Sequence, residues 1–126
     1  MSEKVCVIGG GYWGKNHIRT LADLGCLGAV VDSDVDLLNE YSKKYPKIKI
    51  FNNVDDSLSS NEFDGYTVAT PAHTHYEIAK KIICAEKHVL VEKPLTLNLT
   101  DAEELNLLAK KNRVTLMVGH VMLFHP

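Results

Sequence analysis

The sequence predicts an α/β fold of three layers, α/β/α, built on a doubly wound parallel sheet. Three observations predict it. Short apolar runs alternate with segments of helical periodicity along the 126 residues. A glycine-rich stretch separates the first apolar run from the first amphipathic segment. Polar residues gather just after the apolar runs, at what become the carboxyl ends of the strands. Strict alternation of strand and helix implies parallel strands, because right-handed crossovers return each strand in the same direction and place helices on both faces of the sheet.

Val5 to Ile8 is a nearly all-apolar run that ends in glycines, as suits a central strand buried on both faces. Ile18, Leu21, Ala22 and Leu24 then recur at helical spacing up to Gly25, a residue that ends helices by tolerating the left-handed conformation. Ala29 to Val31 gives the second strand, which ends at Asp32. Leu37, Leu38, Tyr41 and Tyr45 mark a helix that Pro46 terminates, and Ile48 to Phe51 reads as a half-buried edge strand. Between Asn52 and Asp64 the pattern supports only a short helical turn around Leu58. Tyr66 to Ala69 is the fourth strand, Ile78, Ala79, Ile82 and Ile83 the next helix, and Val89 to Val91 the fifth strand. Thr100 and Glu103 form a capping-box pattern that opens a helix through Leu105, Leu108 and Ala109, and Val114 to Val118 closes the series.

With 45% hydrophobic and 24% charged residues, the chain has the balance of one globular domain with one core. A formal net charge of -2 gives no electrostatic reason to expect nucleic acid or an anionic membrane as partner. Cys6, Cys26 and Cys84 are odd in number and far apart, so they read as small apolar core residues in a reducing compartment. The start leads straight into a strand without a signal-peptide hydrophobic region, and no apolar run reaches membrane-spanning length, so a cytoplasmic protein is expected.

Gly9-Gly10-Gly11-Tyr12-Trp13-Gly14 matches G-x-G-x-x-G between a predicted strand and a predicted helix. Gly9 permits a tight turn, Gly11 lets the backbone approach a pyrophosphate, and Gly14 lets the helix pack against the strand. The helix N-terminus adds free N–H groups and a positive dipole end. Asp32, at the end of the second strand, is spaced to accept hydrogen bonds from the adenosine ribose hydroxyls and to repel a 2′-phosphate. NAD is therefore expected in preference to NADP, and residues 1–126 are read as a dinucleotide-binding domain. The plainer alternative is that the glycines only turn the chain and Asp32 only caps the next helix.

Ligands of such sheets bind outside the carboxyl ends of the strands. There the sequence places the glycine loop, Asp32, Thr70-Pro71, Glu92-Lys93-Pro94 and Gly119-His120. Together Gly9 to Gly14, Ala69-Thr70-Pro71 with His75, Glu92-Lys93-Pro94 and Gly119-His120 resemble the signature of the glucose-fructose oxidoreductase, inositol dehydrogenase and MocA family over nearly the whole chain. The resemblance implies an NAD-dependent dehydrogenase that oxidises a hydroxyl of a sugar, polyol or nucleotide sugar to a ketone. It implies Lys93 at the reacting hydroxyl, Glu92 at the nicotinamide ribose, a cis peptide before Pro94, and Thr70, Pro71 and His75 along the cofactor's path. An ammonium next to a developing alkoxide lowers the cost of removing its proton.

His120 is a candidate to reach the substrate, with Lys93 the other catalytic candidate. Tyr12 and Trp13 are candidate cofactor neighbours, although aromatic residues at a helix start commonly serve packing. His73 and His75 form an H-x-H pair without a third ligand, so no metal site is expected. The stretch from Gly119-His120 to Phe124-His125-Pro126 resembles members that act on nucleotide sugars, in the manner of UDP-N-acetylhexosamine or hexosaminuronate 3-dehydrogenases. Family members continue into a second, substrate-binding domain, expected to be absent from this chain. An apolar patch around Val121 to Phe124 would then be exposed and would favour a homo-oligomer. The alternative function is a non-catalytic NAD(H)-binding sensor or docking module.

Overall fold

The structure, a computed structural model, describes residues 3–119. Six parallel strands form one sheet: β1 (Val5–Ile8), β2 (Leu27–Val31), β3 (Lys49–Phe51), β4 (Gly65–Val68), β5 (His88–Glu92) and β6 (Leu116–Gly119). Their spatial order is β3-β2-β1-β4-β5-β6. The chain starts in the middle, winds outward to β3, then crosses back beside β1 and winds the other way. The turning point lies between β1 and β4, where the connections leave in opposite directions and open a crevice at the carboxyl edge.

The helices are α1 (Gly14–Asp23), α2 (Val35–Lys44), α3 (Val54–Ser59), α4 (His75–Cys84) and α5 (Leu99–Asn112), with one 3₁₀ turn at Ala72–Thr74 before α4. Alternation along the strands divides the core in two. Cys6, Ile8, Ala29, Val31, Val68, Val89 and Val91 face α4 and α5 through Ala79, Ile82, Ile83, Leu105 and Ala109. Val7, Leu27 and Val30 face α1 and α2 through Ile18 and Leu38. The expectation of a parallel sheet with helices on both faces is therefore met.

Coverage is nevertheless uneven. On the α1 side, Thr67, Leu90 and Met117 line an open cavity with Leu21, and Met117 is 58% exposed. Among the described residues, no helix covers the β4-β5-β6 half of that face. The apolar patch expected around Val121 to Phe124 lies outside the described residues.

Local details differ from the sequence reading for identifiable reasons. The segment left as a single turn is the two-turn helix α3, capped by Asn53, whose side chain accepts from the Asp56 amide. Thr100 is not the cap of α5. Asn98 is, accepting from the Asp101 amide, and Thr100 lies inside the first turn. Asn and Thr both cap helices, and Asn98 gains because its extended backbone leaves its amide oxygen free to reach back. Only Cys6 of the three cysteines is a core residue; Cys26 is half-buried and Cys84 is exposed. Among the described residues, no helix is long and apolar enough to cross a membrane.

Candidate cofactor and active site

Every strand of the inner sheet delivers a functional group to the carboxyl edge. From β1 comes the glycine loop. Gly9 adopts φ +98°, and a side chain there would lie 2.8 Å from the Ala69 carbonyl oxygen, so the loop hugs the end of β4. At Gly14 a Cβ would fall 1.6 Å from the Gly9 carbonyl oxygen, which seats the first turn of α1 directly on the loop. Gly11 is different, because a Cβ there would meet no atom within 4 Å. Nothing among the described residues requires glycine at that position, and the space it leaves opens into the crevice. That vacant approach fits a bulky anion lying against the backbone.

The N-terminus of α1 carries the same message. Side chains of Asp34, Asn53 and Asn98 cap α2, α3 and α5, and each of those helices has an acidic first turn. At α1, Trp13 makes no capping hydrogen bond and the first turn holds no acidic residue. The Lys15 and Asn16 amides already donate to the Gly11 and Trp13 carbonyls, so what α1 offers a ligand of negative charge is its positive helix end and the loop amides that precede them.

From β2 comes Asp32. One carboxylate oxygen accepts from the Gly10 amide at 2.8 Å and the other from the Asp34 amide at 2.9 Å. The carboxylate therefore pins the glycine loop and shapes the turn into α2, and its remaining lone pairs face the crevice that it lines with Ser33 and Asn52. Tyr41 on α2 completes the clamp by donating its hydroxyl to the Gly10 carbonyl at 2.7 Å. Burial, followed by the charges of Tyr45, Asp32 and Glu40, raises the Tyr41 phenol above its ordinary range, which keeps it a donor.

From β4 come Thr70 and Pro71, and from β5 come Glu92 and Lys93. A cavity of about 540 Å³ runs from Asp32 past Gly11 to Thr70, and a second of about 360 Å³ runs from Thr70 to Glu92 and Lys93. Both are lined by Trp13, Ala69, Thr70 and Pro71, so they form one trough with a carboxylate near each end. Trp13, 42% exposed, stands at the junction, while Tyr12 is 75% exposed and packs edge-on against Trp13. Lys93 is exposed at the rim, and the Lys93–Pro94 peptide is cis, as the resemblance implies.

A model of an oxidoreductase family, described as having an NAD-binding Rossmann fold, matches residues 3–120. The chain belongs to this family. It is 32% identical over 120 residues to a UDP-N-acetylglucosamine 3-dehydrogenase of Acidithiobacillus ferrooxidans, an alignment that covers 95% of this chain and 37% of that protein. Identity to a myo-inositol 2-dehydrogenase of Thermotoga maritima is also 32%, covering 92% of this chain and 35% of the relative. Among solved structures, GenD2 from gentamicin A biosynthesis in complex with NAD superposes with a TM-score of 0.87 at 33% identity, covering 94% of this chain and 34% of that one. The chain thus spans about a third of the length of the proteins it matches.

The family is NAD-binding, and the trough is the candidate cofactor site. The sequence-predicted residues Gly9, Gly11, Tyr12, Trp13, Asp32, Thr70, Pro71, Glu92 and Lys93 line it, and Gly14 supports it from below. His75 also lines the part of the trough beside Glu92 and Lys93. It begins α4 and is 1% exposed. Its Nδ1 lies 2.7 Å from the Pro94 carbonyl oxygen and its Nε2 2.7 Å from the Thr70 carbonyl oxygen. Both ring nitrogens are spent on the backbone, so His75 ties the loop after β4 to the loop after β5. His120 lies outside the described residues.

Sequence reasoning missed His17. It sits one turn into α1, buried beside Ile18, with Nε2 hydrogen-bonded to Oε1 of Glu92. The signal was present: His17 shares the inward face of α1 with Ile18 and Leu21, and an imidazole on that face needs a polar partner.

Proposed function

We propose that residues 3–120 are the cofactor-binding part of an NAD-dependent dehydrogenase that oxidises a secondary hydroxyl of a sugar, polyol or nucleotide sugar to a ketone. One observation carries the reading. A single trough joins an uncapped glycine-loop helix and Asp32 at one end to Glu92 and Lys93 at the other. The adenosine ribose is assigned to Asp32, the pyrophosphate to Gly11 and the N-terminus of α1, and the nicotinamide end to Glu92 and Lys93. The Asp32 carboxylate favours NAD, since a 2′-phosphate would meet its negative charge.

NAD supplies the hydride acceptor. The contribution of this chain is to hold that acceptor and to place Lys93 where the substrate hydroxyl loses its proton. The Lys93 ammonium offsets charge developing on the oxygen while the proton leaves to solvent, and the carbinol hydrogen departs with its electron pair. A nucleotide-sugar or cyclic polyol substrate is supported by the relatives' names, one a UDP-N-acetylglucosamine 3-dehydrogenase and one a myo-inositol 2-dehydrogenase.

The test is calorimetric titration of the chain with NAD, NADH and NADP, repeated with Lys93→Met. We expect NAD and NADH to bind in preference to NADP, with little change in Lys93→Met because the lysine is reserved for chemistry. Failure of both NAD and NADH to bind at millimolar concentration refutes the reading.

A further inference from the structure

The buried contact between His17 and Glu92 is not explained by stability. Glu92 is 6% exposed and His17 7% exposed, and removing a carboxylate and an imidazole from water costs free energy that their pairing barely recovers. Apolar side chains of the same volume at the junction of α1 and β5 would hold the fold at least as well. Glu92 also lines the nicotinamide end of the trough, beside Lys93. His75 lines that end too, with both ring nitrogens engaged by carbonyls. Glu92 is thus the acceptor carboxylate available to a ligand there, and His17 holds one of its oxygens.

The two ends of the trough repeat one device. Asp32 gives an oxygen to Gly10 in the glycine loop, and Glu92 gives an oxygen to His17 in the helix that the loop opens. Loop and helix form one unit, tied at one end to β2 and at the other to β5. A carboxylate anchored through one oxygen has its plane fixed, and its remaining lone pairs are aimed rather than swept through solvent.

We propose that His17 is a positioning residue for the nicotinamide half of the dinucleotide, acting by fixing the orientation of Glu92 so that it accepts from the ribose hydroxyls at that end. The proposal rests on the NAD reading above. It makes the effect of His17 specific to one half of the ligand. ADP fills only the adenosine and pyrophosphate half, so it should not sense His17 at all.

The experiment measures the affinities of NAD and ADP for the wild-type chain and for His17→Leu, His17→Gln, Glu92→Gln and the double variant His17→Leu/Glu92→Gln. His17→Leu keeps the buried bulk and removes the donor; it should weaken NAD roughly tenfold, the worth of a charge-assisted hydrogen bond, and leave ADP within about twofold. His17→Gln, which can still donate to Glu92, should recover most of the loss. Glu92→Gln should match His17→Leu, and the double variant should be no worse than either. In parallel, the ring signals of His17 in the wild-type chain should shift on adding NAD and stay in place on adding ADP, a readout that holds even if His17→Leu does not fold. Equal weakening of NAD and ADP in His17→Leu, unchanged NAD affinity, or ring signals indifferent to NAD would overturn the proposal. Wild-type chain that binds ADP and NAD equally would overturn it as well while leaving the fold untouched, and wild-type chain that binds neither NAD nor NADH would overturn the NAD reading itself.

Discussion

Two glycines of the same motif should fail in opposite ways. An alanine Cβ at Gly14 would lie 1.6 Å from the Gly9 carbonyl oxygen and 2.6 Å from its carbonyl carbon. Contacts below 3 Å do not persist, so α1 must lift from the loop by more than an ångström. Both partners are backbone, with no side chain free to yield. Overpacking of this kind costs about 3 kcal/mol or more, and at about 4 °C per kcal/mol for a domain of this size the melting temperature should fall by roughly 12 °C. Gly11→Ala meets nothing within 4 Å, so its stability should stay within about 0.5 kcal/mol of wild type. Its methyl group nevertheless stands in the approach to the loop, and NAD affinity should fall at least about tenfold, or roughly 1.4 kcal/mol. Thermal melts with and without NAD separate the two effects. Gly11→Ala should melt like wild type without ligand and gain little from NAD. A Gly11→Ala protein that binds NAD normally, or that unfolds as readily as Gly14→Ala, would refute the assignment of the pyrophosphate to this loop.

Other outcomes follow from the same geometry. Asp32→Asn keeps an acceptor for the Gly10 amide but removes the charge, so NAD should weaken and the NADP-to-NAD preference should shift toward NADP, measured by paired titrations. Thiol-reagent kinetics should find Cys84 fast and Cys26 slower. Cys6 should stay silent until unfolding, since it is fully buried and burial pushes its thiol up to about 12. Tyr66, 2% exposed, donates its hydroxyl to the Ser57 carbonyl at 3.1 Å, and burial pushes the phenol up to about 12 from 10. A phenol whose folded pKa is raised gives stability that is whole below pH 10 and is lost as pH rises toward 12. That loss is roughly 3 kcal/mol at about 1.4 kcal/mol per unit. Tyr66→Phe should therefore flatten denaturant-derived stability between pH 10 and 12; an unchanged slope there contradicts the assignment.

Legibility in the sequence tracked how local each cause was. Strands β1, β2 and β5 were readable because a strand buried on both faces needs an unbroken apolar run, and such runs stand out against the charged helices. The residues that end those strands were readable for the same reason, since the sheet fixes which edge they reach. α3 was faint because four of its six residues are polar and its apolar ones, Val54 and Leu58, pack only partly against the core. The cap of α5 was misplaced because Thr100–Glu103 and Asn98–Asp101 are both plausible pairs, and backbone geometry rather than residue type decides between them. Cys26 and Cys84 were misassigned because a cysteine carries no mark of its exposure; one lies just past the end of α1 and the other ends α4. The two backbone ties of His75 were not legible, because its two carbonyls lie 5 and 19 residues away along the chain.

The same distinction explains why the carboxyl edge can be built from loops and still hold a shape. Thr70 and Pro94 belong to different loops, and neither loop has ladder hydrogen bonds there to fix it. His75 reaches both backbones from the first turn of α4, an element held by Ala79, Ile82 and Ile83 in the core. Thr74 adds a second tie, with its hydroxyl 2.6 Å from that of Thr70 and 2.6 Å from the Pro71 carbonyl oxygen. Each tie runs from a loop to the start of a packed helix rather than from loop to loop, so the rigidity of the core is passed to residues that must be exposed to work. His75→Ala should therefore leave the sheet intact while loosening Thr70 and Lys93 together. Amide exchange that quickens in both loops and nowhere in β1 or β2 is the expected result, and quickening confined to one loop would show that the two are held independently.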